Sequence, residues 1–141
     1  MRLLLIHYLY NTYALTGGRI FLVSSIGTKK STVLPDYLLS VSSRGAIEQV
    51  CRALAKDLAV RGITVNTISP GCIDSAGYRA GKSEHKLQFI RNLHLQKRIG
   101  IPEEIAETVG FLASPEGRWI NGQNIQINGV NSYLVRILHA R

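Results

Sequence analysis

Two cysteines in 141 residues leave little thiol chemistry open. Cys51 and Cys72 are not spaced as C-x-x-C and are too few for a metal cluster, so no metal site is expected. Thiols without a secretory context point to a reducing compartment, and the expected location is cytoplasmic. No apolar run approaches the roughly 20 residues a helix needs to cross a bilayer. The N-terminal stretch MRLLLIHYLYNTYAL is interrupted by His7 and lacks an A-x-A cleavage site, so it reads as a helix packed on a sheet ahead of a signal peptide. No membrane partner is expected. No segment is repetitive, and a composition of 45% hydrophobic and 18% charged residues fits a folded chain of one-domain length. Acidic residues are scarce, 9 against 17 Lys and Arg, for a net charge of +8. The basic residues are nevertheless scattered: Lys29 and Lys30 are adjacent, and Arg91, Lys97 and Arg98 are loosely grouped. No basic helix face with interleaved aromatics emerges, so no nucleic-acid partner is expected. The excess charge reads as solvated surface, part of which a dinucleotide phosphate can use.

What is present is a series of short buried strands separated by amphipathic helices. Arg19 to Val23 (RIFLV) reads as a parallel strand running into Ser24-Ser25. Pro35 suits the first turn of a helix over about Tyr37 to Val60. Ile47, Val50, Cys51, Leu54, Ala55 and Leu58 form one apolar stripe on it. Gly62 suits a left-handed cap. Ile63 to Ile68 reads as a second buried strand, broken by Ser69-Pro70-Gly71. Asp74 to about Leu95 is polar and mixed and is expected to be a mobile helical flap. Pro102, Glu103 and Glu104 start another helix with Ile105, Val109 and Leu112 on its buried face. Asn121-Gly122 is a turn, and Asn124 to Ile127 is a third strand. Strands and helices in alternation imply right-handed crossovers and a parallel sheet. In such sheets ligands bind beyond the C-terminal strand ends, where the Ser24-Ser25 and Pro70-Gly71 segments fall.

In this order, GGRIFLVSS, SRGAIEQVCRALAKDLAVRGITVNTISPG and RIGIPEEIAETVGFLASPEGRWINGQNIQINGV resemble the C-terminal half of a short-chain dehydrogenase/reductase. Within that family the chain looks most like fungal carbonyl and polyketide-naphthol reductases. The resemblance implies an α/β fold, the C-terminal half of a Rossmann-type doubly wound parallel sheet with about three strands and packing helices. Residues 1–141 are then a single partial domain, with the match over about 17–130 and an appended tail at 131–141. The N-terminal nucleotide-binding half is expected to be missing, and a truncated gene reading is one expected cause. The resemblance also implies carbonyl reduction or alcohol oxidation by hydride transfer with NADP or NAD. The partner is then a small-molecule carbonyl or alcohol. Hydride arriving at a carbonyl carbon builds negative charge on oxygen, which needs a donor already in place.

The family supplies that donor as a serine and a Tyr-x-x-x-Lys pair, and the chain departs from this pattern. Ser25 matches the serine to within about a residue. Anchored on GAIE, the tyrosine position holds Ser40 and the lysine position Arg44. Arg44 keeps the charge and can donate to a ribose, but a guanidinium does not copy an ammonium. An aliphatic hydroxyl is far less acidic than a phenol, whose ordinary pKa is about 10. Tyr37 shares a helix face with Arg44, at about 10 Å along the axis, and is the candidate substitute. Pro70, Gly71, Ile73 and Ser75 match the family's nicotinamide loop. No G-x-x-x-G-x-G turn follows any strand, so the usual pyrophosphate seat is lacking. Two readings result: an oxidoreductase with impaired activity, or an inactive remnant that acts as a dimerisation or interaction module. In either, a homo-oligomer through the 37–60 helix is expected.

Overall fold

The computed structural model describes residues 17–29 and 35–130. The expected N-terminal helix, part of the loop before Pro35 and the 131–141 tail lie outside the described residues. Strand β1 (Arg19–Val23), helix α1 (Leu38–Leu58), strand β2 (Thr64–Pro70), helices α2 (Ala76–Arg79), α3 (Glu84–Leu93) and α4 (Pro102–Ala113), and strand β3 (Asn124–Ile127) follow in order. The strands form a parallel sheet in the order β1-β2-β3, with Val23 opposite Ile68 and Pro70 opposite Ile127.

Helix α1 packs on β2 through one row: Glu48, Cys51, Ala55 and Leu58 are its buried residues. Cys51, Ala55 and Leu58 join Ile63 and Val65 in the core, with Ile20, Leu22 and Leu54 packed around them. The Cys51 thiol donates to the Val65 carbonyl at 3.3 Å, and burial pushes its pKa up. This is a packing cysteine. Of the stripe residues Cys51, Ala55 and Leu58 are buried, while Ile47, Val50 and Leu54 are half-buried. The helix is also shorter than the expected 37–60, because Pro35–Tyr37 and Ala59–Arg61 are tighter 3-10 turns. Gly62 at φ 68° caps the Ala59–Arg61 turn in the left-handed conformation expected of it.

Two expectations need correction. Strand β2 does not break at Ser69 but runs through Pro70. Proline is tolerated there because β1 pairing ends at Val23 opposite Ile68, so the missing N–H faces no neighbour. Gly71 then resumes donation, to the Ile127 carbonyl at 2.8 Å. Helix α4 buries only Leu112 fully, while Ile105 and Val109 are half-buried. A three-stranded sheet gives this helix little apolar surface to cover. Its start agrees with expectation: Pro102 is in the first turn, and the Glu104 carboxylate accepts from the Ile101 N–H at 2.9 Å. The 74–95 segment contains α2 and α3, capped by the Ser75 and Ser83 hydroxyls.

The buried middle of β2 is polar. Asn66 donates to the Ile120 carbonyl at 2.7 Å and accepts from the Gln123 N–H at 3.0 Å. Asn121 accepts from the Val65 N–H at 2.8 Å. These bonds extend the β2–β3 ladder into the 121–123 turn and satisfy groups that burial would otherwise penalise.

Candidate active site

The C-terminal ends of β1 and β2 meet at one edge of the sheet. The Ser24 N–H donates to the Ile68 carbonyl at 2.8 Å, two residues before Pro70. This bond sets the 24–29 turn beside the Pro70-Gly71 loop. Ser25 follows the strand, and its Oγ accepts from the Gly27 N–H at 3.2 Å. A serine hydroxyl has one proton to donate, and accepting a bond leaves that proton available.

Helix α1 brings Arg44 to the same edge, but not as a free ribose ligand. Its Nη1 donates to the Val23 carbonyl at 2.5 Å, and its own carbonyl lies 3.3 Å from Ser24 Oγ. Ser40 lies one turn earlier, exposed, with its carbonyl accepting from Ser43 Oγ at 3.1 Å. Tyr37 ends the 3-10 turn before α1 and is 57% exposed. The structure thus joins Ser25 and Arg44 through the 23–25 backbone, while Ser40 and Tyr37 stand on the outer end of the helix.

Glu48 was not among the residues expected here. It is 7% exposed, and Ser24 Oγ at 2.8 Å and Thr28 Oγ1 at 2.5 Å both donate to its Oε1. Lys29 Nζ lies 2.8 Å from its Oε2. Burial works to raise its pKa, but the bonds from Lys29, Thr28 and Ser24 outweigh it and lower the value to about 2. A sequence signal existed: Arg44, Glu48, Cys51, Ala55 and Leu58 follow 4-3-4-3 spacing, so a charged residue at 48 falls on the buried row.

The second loop is fixed by backbone bonds. A Cβ on Gly71 would lie 2.9 Å from the Cα of Asn128, the residue after β3, so this close approach requires glycine there. Ile73 pairs with Gly100: the Gly100 N–H donates to the Cys72 carbonyl at 3.0 Å and the Asp74 N–H to the Gly100 carbonyl at 2.7 Å. Strand alternation turns the N–H and C=O of Ile73 itself to the opposite side. An adjacent donor and acceptor of this kind match a carboxamide. Ser75 Oγ accepts from the Tyr78 N–H at 3.2 Å as the cap of α2. Asp74 pairs with Arg79, whose guanidinium holds its carboxyl below the usual range. Beneath the loop, Cys72, His94, Arg98 and Asn128 line a pocket of about 60 Å³, room for no more than a few waters. Among the described residues no group of three or more His, Cys, Asp or Glu is placed to hold a metal ion. None of their helices is long and apolar enough to cross a membrane.

A family model described as enoyl-(acyl carrier protein) reductase matches residues 3–129. The chain belongs to the short-chain dehydrogenase/reductase family. It is 40% identical over 113 residues to NADPH-dependent aldehyde reductase 2, chloroplastic, of Arabidopsis thaliana, covering 80% of this chain and 41% of that relative. Hydroxynaphthalene reductase-like protein Arp2 of Metarhizium brunneum is 32% identical over 125 residues, covering 80% of this chain and 46% of the relative. Among solved structures, a short-chain dehydrogenase family protein from Francisella tularensis superposes with a TM-score of 0.81 at 30% identity, over 95% of this chain and 57% of that one. The angucycline C-6 ketoreductase LanV with bound NADP gives a TM-score of 0.73 at 34% identity, over 85% of this chain and 45% of that one. The short-chain dehydrogenase/reductase chain described here spans about half the length of the curated relatives it matches. Its three parallel strands form part of a Rossmann sheet.

Proposed function

We propose that this chain carries the substrate- and nicotinamide-facing edge of an NADP- or NAD-dependent oxidoreductase that interconverts a small carbonyl compound and its alcohol. The bond from the Ser24 N–H to the Ile68 carbonyl carries this reading, because it places Ser25 beside the 70–75 loop. A bound nicotinamide would supply or accept the hydride. Ser25 directs its proton at the carbonyl oxygen, where negative charge develops. The backbone of Ile73 would hold a nicotinamide carboxamide, with Pro70 and Gly71 shaping the loop and Ser75 holding its far end on α2. Ser40 and Tyr37 are the hydroxyls at the outer end of α1. Ser40 hydrogen-bonds a carbonyl but is a poor acid, so proton transfer is slow. Arg44 supplies positive charge at the edge while tied to Val23. Names among the relatives, an NADPH-dependent aldehyde reductase and a ketoreductase with bound NADP, support the cofactor and the reaction class.

A second reading is favoured by one observation. The guanidinium at the ribose-binding position serves the Val23 carbonyl, as expected if the chain is a non-catalytic interaction module. Calorimetry with NADPH, followed by absorbance at the nicotinamide band with quinones and cyclic ketones, separates the two. Binding and slow oxidation are expected; neither binding nor turnover leaves only the interaction module. The double variant Ser40→Tyr, Arg44→Lys is expected to show no gain in NADPH oxidation. It removes the Arg44–Val23 bond, and with no Gly-rich pyrophosphate turn after any described strand, weak cofactor seating limits the rate before the acid does. A measurable gain in rate refutes this.

A further inference from the structure

We infer that Glu48 is a positioning residue, whose buried carboxylate fixes the 24–29 turn, and with it Ser25, against the helix that carries Ser40 and Arg44. The inference rests on the reading of Ser25 as the carbonyl contact. Ser25 is bracketed by Ser24 and Thr28, and both hydroxyls end on the same oxygen of Glu48, at 2.8 and 2.5 Å. The other oxygen holds Lys29 at 2.8 Å. The carboxylate therefore binds three of the six residues in the turn and spans both sides of Ser25. Thr28 Oγ1 also lies 3.0 Å from the Ser25 carbonyl, but that carbonyl already accepts from the Thr28 N–H at 3.2 Å. The single hydroxyl proton goes to the closer, charged acceptor.

A second bond set on the same helix row completes the clamp. One turn before Glu48, Arg44 donates to the Val23 carbonyl, while its own carbonyl lies 3.3 Å from Ser24 Oγ, whose single proton goes to the closer Glu48 oxygen. The strand end is thus pinned by Arg44 and the turn by Glu48, both from α1. A buried carboxylate is costly unless paired and fully hydrogen-bonded, and this one has three donors. An apolar residue would fill the row as Cys51 and Ala55 do, but would leave the turn without its anchor.

The test uses the full 141-residue chain with Glu48→Ala, Glu48→Gln and Lys29→Met. Backbone amide exchange at Gly27 and Thr28 reads the turn, and the amides of 51–58 report global opening. Glu48→Ala is expected to speed exchange at Gly27 and Thr28 about tenfold relative to 51–58. Glu48→Gln keeps an acceptor oxygen for Ser24 and Thr28 and is expected to restore protection to within about threefold. Lys29→Met, which leaves both hydroxyl bonds but removes one of the three donors, is expected to fall between wild type and Glu48→Ala, and protection lower than in Glu48→Ala would overturn the inference. Titration with cyclohexanone, read at the Ser25 amide by NMR, then links the turn to the site. Wild type shifts on titration, Glu48→Ala binds about tenfold more weakly, and Glu48→Gln recovers. Unchanged exchange at Gly27 and Thr28 in Glu48→Ala overturns the inference, as does a rise shared equally by 51–58. A wild-type Ser25 amide that ignores the ketone overturns the role of Ser25 and hence the positioning role, and the exchange data show separately whether Glu48 holds the turn.

Discussion

Glu48 occupies a helix position that faces the sheet, where a carboxylate remains charged only with donors around it. Lys29, Thr28 and Ser24 provide them and bring its pKa from 4.5 to about 2. A carboxylate depressed in the folded state contributes stability above its unfolded pKa and loses it as pH falls through the folded value. The contribution is therefore full above about pH 4.5 and lost toward pH 2. The shift corresponds to on the order of 2–3 kcal/mol once screening at the half-exposed Lys29 is allowed for. Acid unfolding of Glu48→Gln, followed by circular dichroism between pH 5 and 2, is expected to have a shallower slope than wild type. Parallel curves for the two proteins would show that the ion pair contributes nothing. The motif order alone put Ser25 after β1 and Arg44 on α1, and the structure has them there. The partner of Arg44 was not legible, because a guanidinium reaches several acceptors and only the packed position of Val23 selects one.

At the scale of the elements, most boundaries follow from local chemistry. Gly62 ends the 3-10 turn that follows α1, Pro102 and Glu104 start α4, and Ser75 and Ser83 cap the helices of the 74–95 segment. What local chemistry did not reveal is how close one element comes to the next. The 3-10 turn Pro115–Trp119 folds back on α4 so tightly that a Cβ on Gly117 would lie 2.6 Å from the Leu112 carbonyl oxygen and 2.7 Å from its Cα. Those are backbone atoms and cannot move aside. Gly117→Ala is expected to destabilise the chain by roughly 1–3 kcal/mol through overpacking. Urea unfolding measures it, and a change below about 0.5 kcal/mol, within the range of ordinary surface substitutions, would rule out the close approach. Gly45 and Gly110, with open space around the same position, serve as controls.

For the molecule as a whole, the core takes Cys51, Ala55 and Leu58 from α1, and the most exposed large apolar residues of α1 lie at its start. Tyr37, Leu38 and Leu39 form a contiguous apolar group at the start of α1, 57%, 67% and 85% exposed. Such a patch favours a second copy. The net charge of +8 opposes it at low salt. Sedimentation is expected to show self-association that strengthens as salt rises, since screening weakens the repulsion. Leu38→Glu with Leu39→Glu is expected to return the chain to its 15.6 kDa monomer mass. A wild-type protein that remains monomeric at high concentration and high salt would remove this surface from consideration.

The sequence by itself determined the element order, the parallel crossovers and the family. These depend on hydrophobic period, caps and motif order, which are local or nearly local in the chain. It also placed Ser25 and the Pro70-Gly71 loop at strand ends. Only the tertiary structure decided which groups meet across that edge. Arg44 on Val23, Glu48 under the Ser24–Lys29 turn, and Ile73 against Gly100 are contacts between residues 19 to 27 positions apart. Their partners are set by how α1 and the loops lie on the sheet, and no spacing along the chain encodes that packing.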